Sequence, residues 1–269
     1  MRIRIGKLTI ILRDSPPSIS FKTKKHLYSF DTLKGWYSKD YRLFKKMMDA
    51  DSEFPLYKNY PCLNDREDSA GFVTNPYFPQ DMYVARKIYE NKPQKHVDIG
   101  SRIDGFVAHV AVFREIEVFD IRPMQLKLPN IVFAQADFTD GNSLPVDYCD
   151  SVSCLHALEH FGLGRYGDKI DPEGHVKGFQ QITKILKPGG TFYFSVPMGE
   201  QRIDFNAHRV FSMPYLMKWV TKDYSVTSFA YINDNCELHQ DVALNDDNVE
   251  ESFGCNLGCA IFELKKKDN

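Results

Sequence analysis

The chain has 269 residues, of which 43% are hydrophobic and 13% aromatic, which is enough for one large core. Its formal net charge of -2 gives no overall positive field, so no nucleic-acid partner is expected. The longest apolar run near the start, Leu8 to Leu12, is too short for a signal peptide or a membrane span. Six cysteines without a C-x-x-C pair indicate reduced thiols. These features predict a cytoplasmic protein.

The first ninety or so residues have an irregular pattern. Residues 32–48 and 80–90 have helical spacing, whereas residues 52–79 are loop-like and rich in Pro, Tyr and Asn. Apolar residues in this part are too few and too scattered for a second core. We therefore predict that residues 1–92 form a partly helical extension that acts as a lid or packing element. Residues 93–269 then form the main domain.

From about residue 94 onward, short β-rich runs alternate with helix-patterned stretches, which is typical of βαβ units and a parallel sheet. Predicted strands cover residues 96–99, 116–120, 131–136, 151–155, 191–196, 224–231 and 259–264. Predicted helices cover residues 104–115, 171–186 and 213–221. For the second helix, Asp171 and Pro172 supply an N-cap and a proline at the first position, and the sequence Lys187-Pro-Gly-Gly190 ends it in a sharp turn.

The loop after the first strand reads DIGSRIDG from Asp98 and lacks the G-x-G-x-x-G spacing of dinucleotide-binding loops. Asp120 closes the next strand, where a carboxylate can accept both hydroxyls of a ribose. Asp137 ends the third strand, where it can accept from an adenine amino group while Phe138 covers the ring. Three successive carboxylates at strand ends suit a cationic nucleoside better than a phosphate.

This order resembles class I S-adenosylmethionine-dependent methyltransferases. The segments HVDIGSRIDGFVAHV, EHFGLGRYGD, LKPGG and FNAHRVFS resemble, over roughly residues 77–265, a methyltransferase family catalogued as a domain of unknown function. Some of its members lie beside surface-polysaccharide genes. The resemblance implies an α/β fold with a Rossmann-like, mostly parallel sheet and an antiparallel last strand. It also implies S-adenosylmethionine as the cofactor, bound by Asp98, Gly100, Ser101, Arg102, Gly105, Asp120, Ile121, Asp137, Phe138 and Leu155.

The loop departs from the common D-x-G-x-G-x-G pattern of that class. Arg102 takes the place of the middle glycine, and Gly105 comes one residue late. The loop is therefore expected to follow a different path round the methionine portion, with Arg102 within reach of its carboxylate. A loop that no longer supports turnover is the alternative, which would make the protein a non-catalytic S-adenosylmethionine-binding module.

Residues 154–162 read CLHALEHFG and contain the H-x-x-E-H pattern of some zinc peptidases. A peptidase needs this pattern inside a longer helix, and the sequence FGLG that follows breaks the helix. The spacing of His156, Glu159 and His160 puts them on one helical face. In one interpretation, His156 or His160 is a general base. In another, the histidines are structural and Glu159 caps them.

In a third interpretation the cluster binds a divalent metal. It resembles the E-x-x-E-H motif of metal-dependent O-methyltransferases, with His156 in place of the first Glu. Glu159 and His160 match the last two positions, and His208 matches a later histidine that completes such sites. This set favours Mn²⁺, Fe²⁺ or Zn²⁺ over Mg²⁺. His156, His160 and His208 are therefore the predicted catalytic residues.

The glycine-rich loop that follows, GLGRYGDKID, is polar and adjacent to the same site. Arg165, Tyr166, Asp168 and the later Arg209 are predicted to bind the acceptor, with an ordinary connecting loop as the alternative. The predicted reaction is methyl transfer to oxygen, with a small-molecule or glycan acceptor. A sugar hydroxyl in surface glycan biosynthesis follows from the resemblance alone. Transfer to nitrogen of a small molecule is the closest rival, although the strand-four loop lacks an N-P-P-Y-type motif.

Overall fold

The computed structural model describes residues 2–5, 8–11, 35–48, 53–63, 66, 70–71, 73, 75–140 and 145–268. The chain divides into two compact units, Met1–Phe72 and Val73–Asn269. In the first unit, β1 (Arg2–Ile5) pairs antiparallel with β2 (Leu8–Ile11), and α1 spans Gly35–Met47. The helix predicted over residues 32–48 is confirmed there, and its first three residues lie outside the described part. A lid role for residues 1–92 stays a prediction.

The second unit is built on one eight-stranded sheet. Its parallel strands are β3 (His96–Ile99), β4 (Ile116–Asp120), β5 (Ile131–Gln135), β6 (Cys149–Leu155) and β7 (Leu186–Met198). Three further strands complete it: β10 (Tyr224–Ile232), β11 (Leu238–His239) and β12 (Gly258–Lys266). The order is β11-β10-β12-β7-β6-β3-β4-β5, and β12 runs antiparallel to β7 and β10. The predicted Rossmann-like, mostly parallel sheet with an antiparallel last strand is confirmed.

Apolar residues cover both faces of the sheet, as parallel strands require. Successive side chains of β7 alternate between the faces: Phe192 and Phe194 join one core cluster, and Tyr193 joins the other. The helices α4 (Gly174–Ile185) and α5 (Met213–Asp223) contribute to the Phe192 side. The helix α2 (Tyr77–Asn91) contributes to the Tyr193 side. Among the helices of the described ranges, none is long and apolar enough to cross a bilayer.

The helix predicted over residues 104–115 is not continuous. A π-type turn over Ile103–Val107 precedes α3 (Ala108–Ala111), and Gly105 inside this turn has the non-helical angles φ -128° and ψ -109°. A Cβ atom at Gly105 would lie 2.5 Å from Oδ2 of Asp81 in α2. The glycine therefore lets the loop pack closely against α2, and this contact replaces regular helix geometry.

The helix predicted from residue 171 begins later than expected. α4 starts at Gly174, and Asp171 lies in the turn before it, where its Oδ1 accepts from the backbone N–H of Glu173 at 3.0 Å. The short strands β8 (Arg202–Asp204) and β9 (His208–Val210), which pair antiparallel, were not predicted. Neither was α6 (Asp246–Glu250). Three-residue strands and a one-turn helix are too short to show a hydrophobic period.

Candidate active site

A cavity of about 260 Å³ lies beyond the carboxyl ends of β3, β4, β5 and β6. Ligands of open α/β sheets bind at this position. Many of the predicted site residues line it: Gly100, Arg102, Asp120, Ile121, Asp137, Phe138, His156, His160, Arg165, Tyr166 and Asp168. Sequence reasoning missed the other lining residues, which are Tyr77, Ile99, Phe119, Arg122, Ala136, Thr139, Ala157 and Phe161. The cavity therefore gathers side chains from several separate strand-end loops.

Asp98, a predicted cofactor ligand, is fully buried and does not line the cavity. Its Oδ1 accepts from the hydroxyls of Ser101 at 2.6 Å and Ser153 at 2.5 Å, and its Oδ2 accepts from the Ser101 N–H at 3.0 Å. Ser101 is also buried, and its hydroxyl oxygen accepts from the Leu155 N–H at 3.2 Å. These three residues therefore hold the loop in shape from its buried side. The geometry does not support their predicted direct contact with the cofactor.

Burial raises the pKa of Asp98 to about 6, although the hydrogen bonds from Ser101 and Ser153 oppose the rise. The folded protein keeps this proton up to about pH 6, whereas the unfolded chain releases it near 3.8. The stability that Asp98 contributes is therefore fully present below about pH 4 and is lost as the pH rises through about 6.

We expect the free energy of unfolding of the native protein, relative to Asp98→Asn, to fall by up to roughly 3 kcal/mol between about pH 4 and pH 7. Urea unfolding of both proteins across this range measures the difference. Subtracting the variant removes contributions from all other titrating groups. A difference that grows with pH would contradict the raised pKa.

The loop after β3 needs glycine at position 100. Gly100 has φ +71°, and a Cβ atom there would lie 2.9 Å from the Cβ of Ala157. The next cavity residue of the loop, Arg102, donates to Asp104 through Nε at 3.2 Å and Nη2 at 3.0 Å, and its guanidinium lies 5.3 Å from the centroid of the Tyr77 ring. Arg102, which replaces the middle glycine of the common loop pattern, therefore places a positive charge at the cavity wall. The nearby backbone at Gly100 has no side chain, so a ligand can approach it closely.

Asp120 pairs with Arg122, a residue that sequence reasoning missed. Nε of Arg122 donates to Oδ1 of Asp120 at 3.0 Å, and Nη2 donates to Oδ2 at 2.7 Å. The Arg122 guanidinium also lies 4.4 Å from the centroid of the Tyr166 ring. On the neighbouring strand end, Oδ1 of Asp137 accepts from the N–H and the hydroxyl of Thr139, both at 2.7 Å. The only advance signal for the pair was the Asp-x-Arg spacing after β4.

Glu159 lies between the imidazoles of His156 and His160. The prediction that these three residues share one helical face is wrong. His156 has φ +49°, and the residues Leu158–His160 form a 3-10 turn. Oε1 of Glu159, which is 1% exposed, lies 3.1 Å from Nδ1 of His156 and 3.5 Å from Nε2 of His160. The turn therefore gathers the three groups around one buried carboxylate oxygen.

The two histidines of this cluster have opposite pKa directions. Burial favours neutral His156, but contact with Cys259 and Glu159 outweighs it and raises the pKa of His156 above its ordinary value. Burial also opposes ionisation of Glu159, yet its hydrogen bond to His156 and the two imidazoles lower the pKa of Glu159. For His160, burial dominates and lowers the pKa. His156 is therefore the charged partner of Glu159, and His160 is the neutral imidazole.

The hydrogen bond of His160 to the backbone defines which of its nitrogens is basic. Nδ1 lies 2.7 Å from the carbonyl oxygen of Ala207. A carbonyl oxygen only accepts, so Nδ1 carries the hydrogen and Nε2 of the neutral ring carries the lone pair. The His160 ring also packs edge-on against Tyr166, with centroids 5.4 Å apart. His160 thus lines the cavity in a fixed orientation and in the tautomer that can take up a proton.

The predicted metal ligands do not assemble into one site. Across the part of the chain that the structure describes, no group of three or more His, Cys, Asp or Glu side chains is arranged to hold a metal ion. His156, Glu159 and His160 pair among themselves, whereas Nε2 of His208 lies 3.4 Å from Oδ2 of Asp204 within the β8–β9 hairpin. His208 also does not line the cavity. The side chains present therefore do not support the predicted metal centre.

Asp168 and Arg209, two predicted acceptor ligands, hold backbone. Asp168 accepts through Oδ2 from the N–H groups of Gly162 at 2.7 Å and Gly164 at 3.1 Å, and through Oδ1 from Tyr166 at 3.2 Å. Buried Arg209 donates to the carbonyl oxygens of Glu159, Phe161 and Pro172. Arg209 lies outside the cavity lining, so its predicted contact with the acceptor is not supported. Its Nη1 and Nη2 donors link the 3-10 turn to the segment before α4, whereas its buried Nε has no hydrogen-bond partner among the described residues.

We expect Gly162→Ala to destabilise the fold by about 3 kcal/mol or more, because Gly162 has φ +79° and a Cβ atom there would lie 1.9 Å from the carbonyl oxygen of Asp171. Gly167→Ala is the matched control: Gly167 has φ +85° but has open space around it, so only the backbone strain of about 1–2 kcal/mol applies. Chemical denaturation of both variants measures the difference. Equal losses would mean that the close approach of Gly162 to Asp171 is unimportant.

The sheet order and the cavity at its strand ends define the class of this protein as a Rossmann-like α/β fold with a ligand site at the usual edge. A family model described as "Caenorhabditis protein of unknown function, DUF268" matches residues 120–249, which include the His156–Glu159–His160 turn. No curated protein matches the chain.

The solved structures that are similar to the chain include two methyltransferases. One is 1,6-didemethyltoxoflavin-N1-methyltransferase from Burkholderia thailandensis with bound 1,6-didemethyltoxoflavin and S-adenosylhomocysteine, at 14% identity and a TM-score of 0.49, covering 72% of this chain and 79% of that one. The other is the N-methyltransferase NodS from Bradyrhizobium japonicum WM9 in complex with S-adenosylhomocysteine, at 13% identity and a TM-score of 0.48, covering 72% and 89%.

Proposed function

We propose that this protein is an S-adenosylmethionine-dependent O-methyltransferase in which His160 is the general base. The observation that carries the proposal is the meeting, in one cavity, of strand-end carboxylates with a neutral imidazole whose basic nitrogen is defined. The proposed acceptor is a sugar hydroxyl of a surface glycan or its precursor, on the strength of the sequence resemblance. A divalent metal is left out, because the side chains present do not form a centre for it.

The cavity residues fit the nucleoside part of S-adenosylmethionine. Asp120 offers two carboxylate oxygens for the ribose hydroxyls, and Asp137 lies where it can accept from the adenine amino group. Ile121 and Phe138 supply apolar walls for the adenine ring. The absence of a side chain at Gly100 leaves room that any Cβ atom would fill. Arg102 is the proposed partner of the methionine carboxylate.

When bound, S-adenosylmethionine supplies a methyl group on a positively charged sulfur, which leaves as a neutral thioether as the new oxygen–carbon bond forms. The protein's own task is to align the acceptor and remove its hydroxyl proton. Nε2 of His160 takes this proton, while Nδ1 stays anchored on Ala207. His156, paired with Glu159, remains charged and keeps that carboxylate from competing for the proton.

The test has two stages. Calorimetry with S-adenosylhomocysteine measures cofactor binding, and incubation with S-adenosylmethionine and a panel of free sugars, sugar phosphates and small amines then measures S-adenosylhomocysteine release and product mass. Release with a sugar hydroxyl is the expected result. Methylation of an amine only would favour the N-methyltransferase alternative, and binding without turnover would favour a non-catalytic module. A protein that fails to bind S-adenosylhomocysteine would end the proposal.

A further inference from the structure

Two arginines of the cavity converge on one aromatic ring. The guanidinium of Arg122 lies 4.4 Å from the centroid of Tyr166, and that of Arg165 lies 5.2 Å from it. Both side chains line the cavity. Arg165 donates to a neutral group, the carbonyl oxygen of Ala207, at 2.8 Å. Arg122 is paired with the Asp120 carboxylate. We call Arg122 and Arg165 the arginine pair.

The counter-charge of Arg122 is the same group that the proposed function assigns to the ribose. Both oxygens of Asp120 accept from Arg122, at 3.0 and 2.7 Å. Two ribose hydroxyls that donate to this carboxylate compete with the guanidinium for the same lone pairs. Because the Arg122 side chain is 50% exposed, it has room to rotate away from Asp120. Nucleoside binding therefore weakens the ion pair with Asp120 that neutralises Arg122.

The other carboxylates near the arginine pair are already engaged by backbone groups. Asp168 accepts from three backbone N–H groups of its own loop, and Asp137 accepts from Thr139. The arginine pair is thus the set of strong donors that faces the part of the cavity beside His160 and Tyr166. Planar guanidinium groups bind phosphate and carboxylate oxygens in pairs, and two of them together match a doubly charged or branched anion.

We propose that the acceptor carries an anionic group, a phosphate or a carboxylate, and that Arg122 and Arg165 hold it beside Tyr166 after the nucleoside has occupied Asp120. The order of binding rests on the proposed function. The anion site itself rests only on the arginine pair. If nucleoside binding frees Arg122, an anion should bind the nucleoside complex more tightly than the free protein. The nucleoside should likewise bind the anion complex more tightly than the free protein.

Pyrophosphate is the probe, titrated by calorimetry into the protein alone and into the protein saturated with S-adenosylhomocysteine. We expect affinity to rise about tenfold or more in the complex, and to fall about tenfold or more in Arg165→Gln. Arg202→Gln, which removes an arginine outside the cavity, is the matched control and should bind pyrophosphate as the native protein does. Equal affinity of native protein and Arg165→Gln overturns the anion site.

Asp120→Asn releases Arg122 without any nucleoside and so separates this inference from the proposed function. We expect it to bind pyrophosphate about tenfold more tightly than the native protein. Because removing a negative charge alone also favours an anion, the double variant with Arg122→Gln is required, and it should lose the gain. A gain that survives in the double variant overturns the role of Arg122, even if S-adenosylhomocysteine fails to bind and the proposed function falls.

Parallel titrations distinguish the two sources of negative charge. Pyrophosphate stands for a phosphate-bearing acceptor, glucuronate for a carboxylate-bearing sugar, and glucose for the neutral control. The inference expects at least one of the two anions to bind with dependence on Arg165 while glucose does not. Preference for pyrophosphate assigns a phosphorylated acceptor, and preference for glucuronate assigns a uronic acid. Binding of glucose as tight as that of both anions overturns the inference.

Discussion

His160→Gln is expected to lower kcat by about 10²- to 10⁴-fold, with little change in the affinity for S-adenosylhomocysteine. Glutamine keeps a donor that can reach the Ala207 carbonyl, but it has no nitrogen that can take up the hydroxyl proton. The imidazole is mostly buried and its position is set by one hydrogen bond of 2.7 Å. The variant should therefore fold normally and lose chemistry rather than binding.

The pH dependence gives a second readout of the same residue. Burial lowers the pKa of His160, so the neutral base is already present at the ordinary histidine value of 6.5. Activity should rise with pH only below that value and stay level above it, and His160→Gln should lack this limb. His239→Gln is a suitable control. The His239 ring stacks on the Tyr231 ring, with centroids 4.5 Å apart, and His239 lies outside the cavity lining. Unchanged kcat in His160→Gln would exclude the base role.

The long, strongly patterned elements of the fold could be predicted from the sequence. β3 and β4 have the predicted bounds. β6 begins two residues before its predicted strand, and β12 begins one residue before its predicted strand and ends two residues after it. Each is a buried strand between turn residues, so the local pattern and the tertiary environment agree. The helix before residue 108 could not be predicted, because its geometry depends on the contact between Gly105 and Asp81, which are distant in sequence.

The candidate site also contains some residues that could be predicted from the sequence and others that could not. Residues that directly follow a predicted strand, such as Asp120 and His156, line the cavity because strand ends meet at one edge of the sheet. His208 and Arg209 were assigned by motif similarity alone. They lie on a three-residue strand whose pairing with β8 was invisible in the sequence. Tyr77 was missed because it belongs to α2, whose approach to the cavity follows from packing and not from any strand end.

Asp120→Asn is expected to weaken S-adenosylhomocysteine binding by about 100-fold or more. The variant keeps one acceptor oxygen but loses the charge and the second acceptor, and charge-assisted hydrogen bonds contribute about 1.5–3 kcal/mol each. The Asp120 side chain is 13% exposed, so its hydrogen bonds to the ribose hydroxyls should be largely shielded from water. Calorimetry of native and variant protein measures the change. Asp204→Asn is the control, since this exposed aspartate also pairs with an arginine two positions away, Arg202.

Arg122 makes this prediction sharper, because the same carboxylate has two competing partners. Removing the competitor in Arg122→Gln leaves Asp120 intact and should strengthen S-adenosylhomocysteine binding, whereas Asp120→Asn should weaken it. In the double variant the Arg122 substitution should have no further effect, because there is no ion pair left to break. Opposite signs for two neighbouring substitutions cannot arise from general destabilisation of the loop. If both variants weakened binding equally, Asp120 and Arg122 would support the loop together, and the ribose would have to be held elsewhere.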